Sequence, residues 1–178
     1  MDQPLLINRC RMDEEVYRKA FSRVLRHYSI ILYIGAAFMI GCGILYALIS
    51  NFTEWAMALL FLVLAGVEIY LALTTASRTA KLNVRRLEEV RGVTAFDTRV
   101  EFYDEEYHGC SEFVEEATKT PYSRLKKVME GDGVLLLYTK SRQFFVLDCN
   151  RFQMGSEEDF WKLMNEKAPK AVPKKHRV

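Results

Sequence analysis

The sequence contains no GxxxxGK[ST] and no GxGxxG, so no glycine-rich cradle for a phosphate is visible. It also lacks HExxH and any CxxC pair, the commonest zinc-binding spacings. Side chains that titrate near neutrality are scarce: the histidines are His27, His108 and His176. His108 and Cys110 stand two apart, which on a strand puts both on one face, but no third orienting group or oxyanion turn accompanies them. The acids at 104–106 and 115–116 lack the spaced ligands and glycine of a calcium loop and read as solvated turns. No catalytic, cofactor-binding or metal-ligating residue is expected, and an enzyme is not expected. The four cysteines, Cys10, Cys42, Cys110 and Cys149, have no histidine at ligand spacing and are expected as free thiols.

Charge is missing altogether from Tyr28–Ser50, and Trp55–Thr75 carries a single charge, Glu68. Only Asn51-Phe52-Thr53-Glu54 separates the two stretches. Each is a little over 20 residues, which at about 1.5 Å per residue spans a hydrocarbon core of roughly 30 Å. Helices apolar all round are buried in a large protein or in lipid, and the rest of this chain has too little apolar mass to wrap two of them. The mean hydropathy of −0.06 and net charge of +2 average a very apolar part with a highly charged one. A cleaved signal peptide does not fit, because a charged arm reaching His27 precedes an apolar run longer than the roughly 7–15 residues of such a segment.

Basic residues orient the hairpin. Arg18, Lys19, Arg23 and Arg26 precede the first span, and Arg78, Lys81, Arg85 and Arg86 follow the second; the connection has no Lys or Arg. Positive charge stays inside, so both termini are expected in the cytoplasm, with these eight residues as contacts to an anionic leaflet. Tyr28, Tyr33, Trp55 and Tyr70 fall near span ends, where amphipathic rings favour the interface. Ala37 with Gly41, and Gly43 with Ala47, give small-xxx-small spacing, suited to packing within the hairpin or between copies. A carboxylate such as Glu68 inside hydrocarbon costs at least roughly 2.5 kcal/mol, so it snorkels, bonds a neighbouring helix, or serves as a proton or cation relay.

The flanks are less uniform. Leu5-Leu6-Ile7 suits a short strand, and Asp13 suits an N-cap with Glu14 and Glu15 in the first turn. Val16, Tyr17, Ala20, Phe21, Val24 and Leu25 recur at helical spacing beside basic residues, fitting a helix on the leaflet or one docked on the domain. The basic segment 76–92 continues the second helix until Gly92. Strands are expected at Thr94–Tyr103, Tyr107–Glu116, Val134–Tyr138 and Phe144–Leu147, with an element opening at Pro121 and a strong turn at Gly131-Asp132-Gly133. Ser156 caps a helix burying Phe160, Leu163 and Met164, which makes the region α+β. The basic tail from Lys167 to Val178 is expected to be disordered, solvated or touching lipid, and nucleic-acid binding is not expected.

The run from Pro121 to Lys167 resembles the YcxB-like C-terminal domain of small bacterial membrane proteins. The likeness rests on Tyr122-Ser123-Arg124-Leu125-Lys126-Lys127-Val128, on Leu137-Tyr138, on the hairpin to Phe145-Val146-Leu147, on Arg151-Phe152 and on the acidic start of the last helix. Leu147-Asp148-Cys149-Asn150 lacks the proline often found in that family. The resemblance implies a bacterial inner-membrane protein with a PH-like cytoplasmic domain and supplies no catalytic residues. The expected layout is a cytoplasmic arm with an amphipathic helix at 1–27, a transmembrane hairpin at 28–75, a linker helix at 76–92, the domain at 93–166 and the tail at 167–178. The expected function is a non-catalytic scaffold or sensor with a protein partner or a second copy. The alternative is an oligomeric transport or channel component using Glu68.

Overall fold

The computed structural model describes residues 3–50 and 55–177; the expected connection at Asn51–Glu54 lies outside the described residues. The chain opens with strand β1 (Leu6–Met12) and helix α1 (Glu14–Val24). Asp13 caps α1, its carboxylate accepting the Val16 N–H at 2.9 Å. Helix α2 (Arg26–Ile49) follows after Leu25, and helix α3 (Trp55–Arg91) runs unbroken for 37 residues, about 55 Å. Gly92, at φ 72°, ends α3 by donating its N–H to the Glu88 carbonyl at 2.8 Å.

Helices α2 and α3 are long and apolar enough to cross a membrane, and only 17% and 11% of their most apolar stretches is buried within the chain. Core helices of a globular protein would be mostly covered, whereas Ile34, Phe38, Leu45 and Leu73 lie open. The two helices pack along small residues seven apart, Ala36 and Gly43 on α2 against Ala65 and Ala72 on α3. A Cβ on Gly43 would sit 3.2 Å from that of Phe61, so the glycine sets the closeness of approach. Ala37 and Gly41 are exposed, so that expected pair lies off the seam, whereas Gly43 of the other expected pair is buried in it.

The remaining strands are β2 (Phe96–Phe102), β3 (Glu106–Ser111), β4 (Val114–Pro121), β5 (Leu125–Gly131), β6 (Val134–Thr139), β7 (Phe144–Asp148) and β8 (Phe152–Met154), followed by helix α4 (Glu157–Lys167). They form two antiparallel sheets, one in the order β4-β3-β2-β1-β8 and one in the order β5-β6-β7. Strand β1 pairs with β2 along its whole length, from Leu6 opposite Phe102 to Met12 opposite Phe96. The segment expected as an arm is thus an interior strand of the domain, because Leu6, Asn8, Cys10 and Met12 share one buried face. Helices α2 and α3 are an insertion between two adjacent strands.

Strand β6 is buried on both faces, as its unbroken apolar run predicts. Leu135 and Leu137 meet Phe102, Tyr107 and the α4 residues Phe160 and Met164; Val134 and Leu136 meet Cys10, Met12 and Ala20 of α1. Burying each large side chain here contributes about 1.5–3 kcal/mol. Helix α1 is therefore docked on the domain. Its Ala20 and the Ala80 of α3 are both fully buried, so α1 lies between the sheets and the basic half of α3.

Several boundaries differ from the expectation. Tyr107–Glu116 is not one strand: β3 and β4 turn at Glu112-Phe113, held by the Glu112 N–H on the Asp97 carbonyl at 3.1 Å and by the Phe113 ring 5.2 Å from Phe96. Glu116 consequently lies in β4, not in a turn. Pro121 ends β4, an edge strand that tolerates it. The turn expected over Gly131-Asp132-Gly133 is narrower: Gly131 closes β5, and Asp132 (φ 56°) and Gly133 (φ 79°) alone connect it to β6. After β7, the Asp148 carboxylate accepts the Asn150 N–H at 2.9 Å and shapes the turn.

The tail, expected to be disordered, is packed. Ala171 and Val172 are buried, and the Ala171 carbonyl accepts the Val128 N–H of β5 at 2.8 Å. His176 stacks on Trp161 at 3.9 Å between centroids. Its composition suggested solvation, but the two small apolar residues find cover between β5 and α4.

Candidate functional site

Three places bring chemistry-bearing residues together. The first lies between α2 and α3. Glu68 points at Gly35, where an added Cβ would stand 2.8 Å from Oε2, and that oxygen is buried without a hydrogen-bond partner. Gly35 is thus the space that admits the carboxyl group, and Glu68 belongs to the seam of its own hairpin. One helical turn away on α3, the Ala72 carbonyl accepts the Ser29 hydroxyl at 3.4 Å. Arg78 does not reach Glu68; its guanidinium lies 4.9 Å from the Tyr70 ring centre and bonds that hydroxyl.

The second is a cavity of about 270 Å³ between the two sheets, lined by Met12, Phe96, Val100, Val114, Phe144 and Val146. The Phe145 ring crosses β3 at Gly109, where a Cβ would be 2.2 Å from Cε1. Cys110 borders this cavity, and burial pushes its thiol up, the opposite of an activated cysteine. His108 turns to Glu106 at 2.8 Å, so the pair with Cys110 conceivable on a strand is not assembled. Cys10 and Cys149 are likewise raised by burial, both to about 12. All four cysteines are free, and among the described residues no group of His, Cys, Asp and Glu could hold a metal ion.

The third is a basic groove of about 460 Å³ where α1 meets α2, bordered by Arg23, Arg26, His27, Lys127, Glu130 and Lys175. The eight basic residues expected at the leaflet do not form one surface. Arg23 and Arg26 enter this groove; Arg18 and Arg86 are exposed elsewhere; Lys19 pairs with Glu15 at 2.7 Å. Lys81 and Arg85 border a separate cleft of mixed charge with Asp13, Glu14 and Glu88, and Arg85 also pairs with Glu89 at 3.1 Å. Sequence reasoning missed His27 and Lys127, and treated Lys175 only as part of a tail. No local signal joins them, because the groove is assembled from three segments far apart in the chain.

No protein-family model matches this chain, and no curated protein matches it.

Proposed function

We propose that the chain is a non-catalytic interaction module anchored in a bacterial inner membrane, with α2 and α3 crossing the bilayer and the two-sheet domain on the cytoplasmic face. The observation that carries this reading is the full-length pairing of β1 with β2. Strands on either side of the hairpin can pair only if the chain returns to the side it left. Basic residues at both outer ends of the spans then favour the cytoplasm for that side. The unbroken α3, gripped by α1, makes domain and hairpin one mechanical unit. Two antiparallel sheets closed by a C-terminal helix support a PH-like module of the YcxB-like kind. Strand β4 offers an open edge to a peptide or a second copy.

Purification in mild detergent tests this directly. A stoichiometric partner or a self-assembly should co-purify, and a monomer retaining neither partner nor lipid would overturn it. The second reading, an oligomeric transport or channel component, rests on the unpartnered Glu68 oxygen in the seam. Ion flux in proteoliposomes that collapses on Glu68→Gln would favour it; unchanged flux would remove it.

A further inference from the structure

We propose that the groove at the α1–α2 junction holds the phosphate of one anionic phospholipid, with an acyl chain running along the start of α2. This rests on the reading that α2 and α3 lie in a bilayer. The border of the groove changes character along its length. Arg26 and His27 are the first two residues of α2, and Ile30, one turn further into the apolar helix, borders the same groove and is exposed. A phosphate at one end and hydrocarbon at the other match that gradient.

Charge supports the same occupant. Arg23, Arg26, Lys127 and Lys175 line the groove with a single acid, Glu130, which is already bonded to Lys175 at 2.7 Å and to His176 at 2.6 Å, while Asp132 lies outside the lining beside Arg23. Arg26 and Lys127 have no ion-pair partner among the described residues. Arg23 folds across Gly131, where a Cβ would overlap its guanidinium, and stands 3.9 Å from Asp132, too far for a close bond. Its Nε is buried without an acceptor, so one donor of the guanidinium is left free for a ligand oxygen.

The backbone adds to this. Helix α2 begins without a side-chain cap and without an acid in its first turn. Leu25 alone separates α1 from α2, so the junction brings Arg23, on the last turn of α1, and Arg26, on the first turn of α2, to one groove with no acid from the start of α2 beside them. The tail completes the wall: Pro173 and Lys175 line the groove, and the tail is tied down by the Ala171–Val128 bond and by the Lys175 and His176 contacts to Glu130. Inorganic phosphate shares the chemistry of the headgroup, but Ile30 gives it nothing to bind, and the lipid is favoured.

Native mass spectrometry of the full chain in detergent, titrated with phosphatidylglycerol, phosphatidylcholine or inorganic phosphate, tests the proposal. One phosphatidylglycerol per chain should be retained over phosphatidylcholine. The Arg26→Gln/Lys127→Gln double variant keeps the side-chain stems and should bind it about 25-fold more weakly, at about fivefold per cation. The Arg85→Gln/Arg86→Gln variant should be unaffected. Equal retention of both lipids, or equal loss in both variants, would overturn the proposal in favour of diffuse attraction. Displacement by millimolar inorganic phosphate would assign a soluble-phosphate site instead. A chain that stays monodisperse without detergent would defeat the membrane reading itself, and the phosphate titration would then still decide whether the groove binds an anion.

Discussion

Asn8 and Asp148, 140 positions apart, bond through two contacts. The Asn8 side-chain amide donates to the Asp148 carbonyl at 2.8 Å, and its oxygen accepts the Asp148 N–H at 3.0 Å. The fully buried amide thus stands in for a strand at the end of β7 and ties one sheet to the other between the two core clusters. Asn8→Leu leaves both backbone groups unpaired. A loss of about 2–4 kcal/mol is expected in chemical denaturation of the detergent-solubilised chain.

Gly109 and Phe145 depend on each other in the same way. The ring lies where a Cβ would be and packs edge-on against Tyr107 at 5.5 Å. Gly109→Ala should cost about 1–3 kcal/mol of stability. Adding Phe145→Leu should recover part of that loss, giving a favourable coupling in a double-mutant cycle.

Within the hairpin, Gly35 and Gly41 make a matched pair of tests. A Cβ at Gly35 meets the Glu68 carboxyl, whereas one at Gly41 meets nothing within 4 Å. Gly35→Leu should lower disulfide cross-linking between cysteines placed at Ser29 and Ala72 several-fold. Gly41→Leu should leave it unchanged.

Docking of the tail should depend on pH. A hydrogen bond from Lys175, with a further one from His176, holds the Glu130 carboxyl below its ordinary 4.5. A lowered carboxyl stabilises the folded form above the unfolded value, and that contribution is lost as pH falls through the folded value. Trp161 fluorescence in a Trp55→Phe background should therefore change as pH drops from about 6 to about 3, as the stacked His176 leaves. Glu130→Gln should abolish the transition.

The span pattern, the Asp13 and Ser156 caps, the stop at Gly92 and the doubly buried β6 were legible in the sequence, because each is local. The place of β1 was not. Its pairing partner lies beyond the hairpin, and Arg9 and Arg11 on its outer face mask the apolar alternation. The Glu112-Phe113 turn carries no Gly, Pro or Asn and is held by tertiary contacts. In the tail, Ala171 and Val172 are too few to outweigh the surrounding lysines in any compositional reading, yet they dock. The basic groove was half legible: Arg23 and Arg26 stand out beside the first span, while Lys127 becomes their neighbour only through the fold.

Membrane sidedness is the most direct test of the whole arrangement. With Cys10, Cys42, Cys110 and Cys149 replaced by alanine, single cysteines at Thr53 and at the exposed Lys126 can be probed in intact cells with an impermeant maleimide. The cysteine at 53 should label at once, and the one at 126 only after permeabilisation. Labelling of both from the same side, or recovery of the chain in the soluble fraction without detergent, would contradict a hairpin inserted between β1 and β2 that crosses the bilayer and returns.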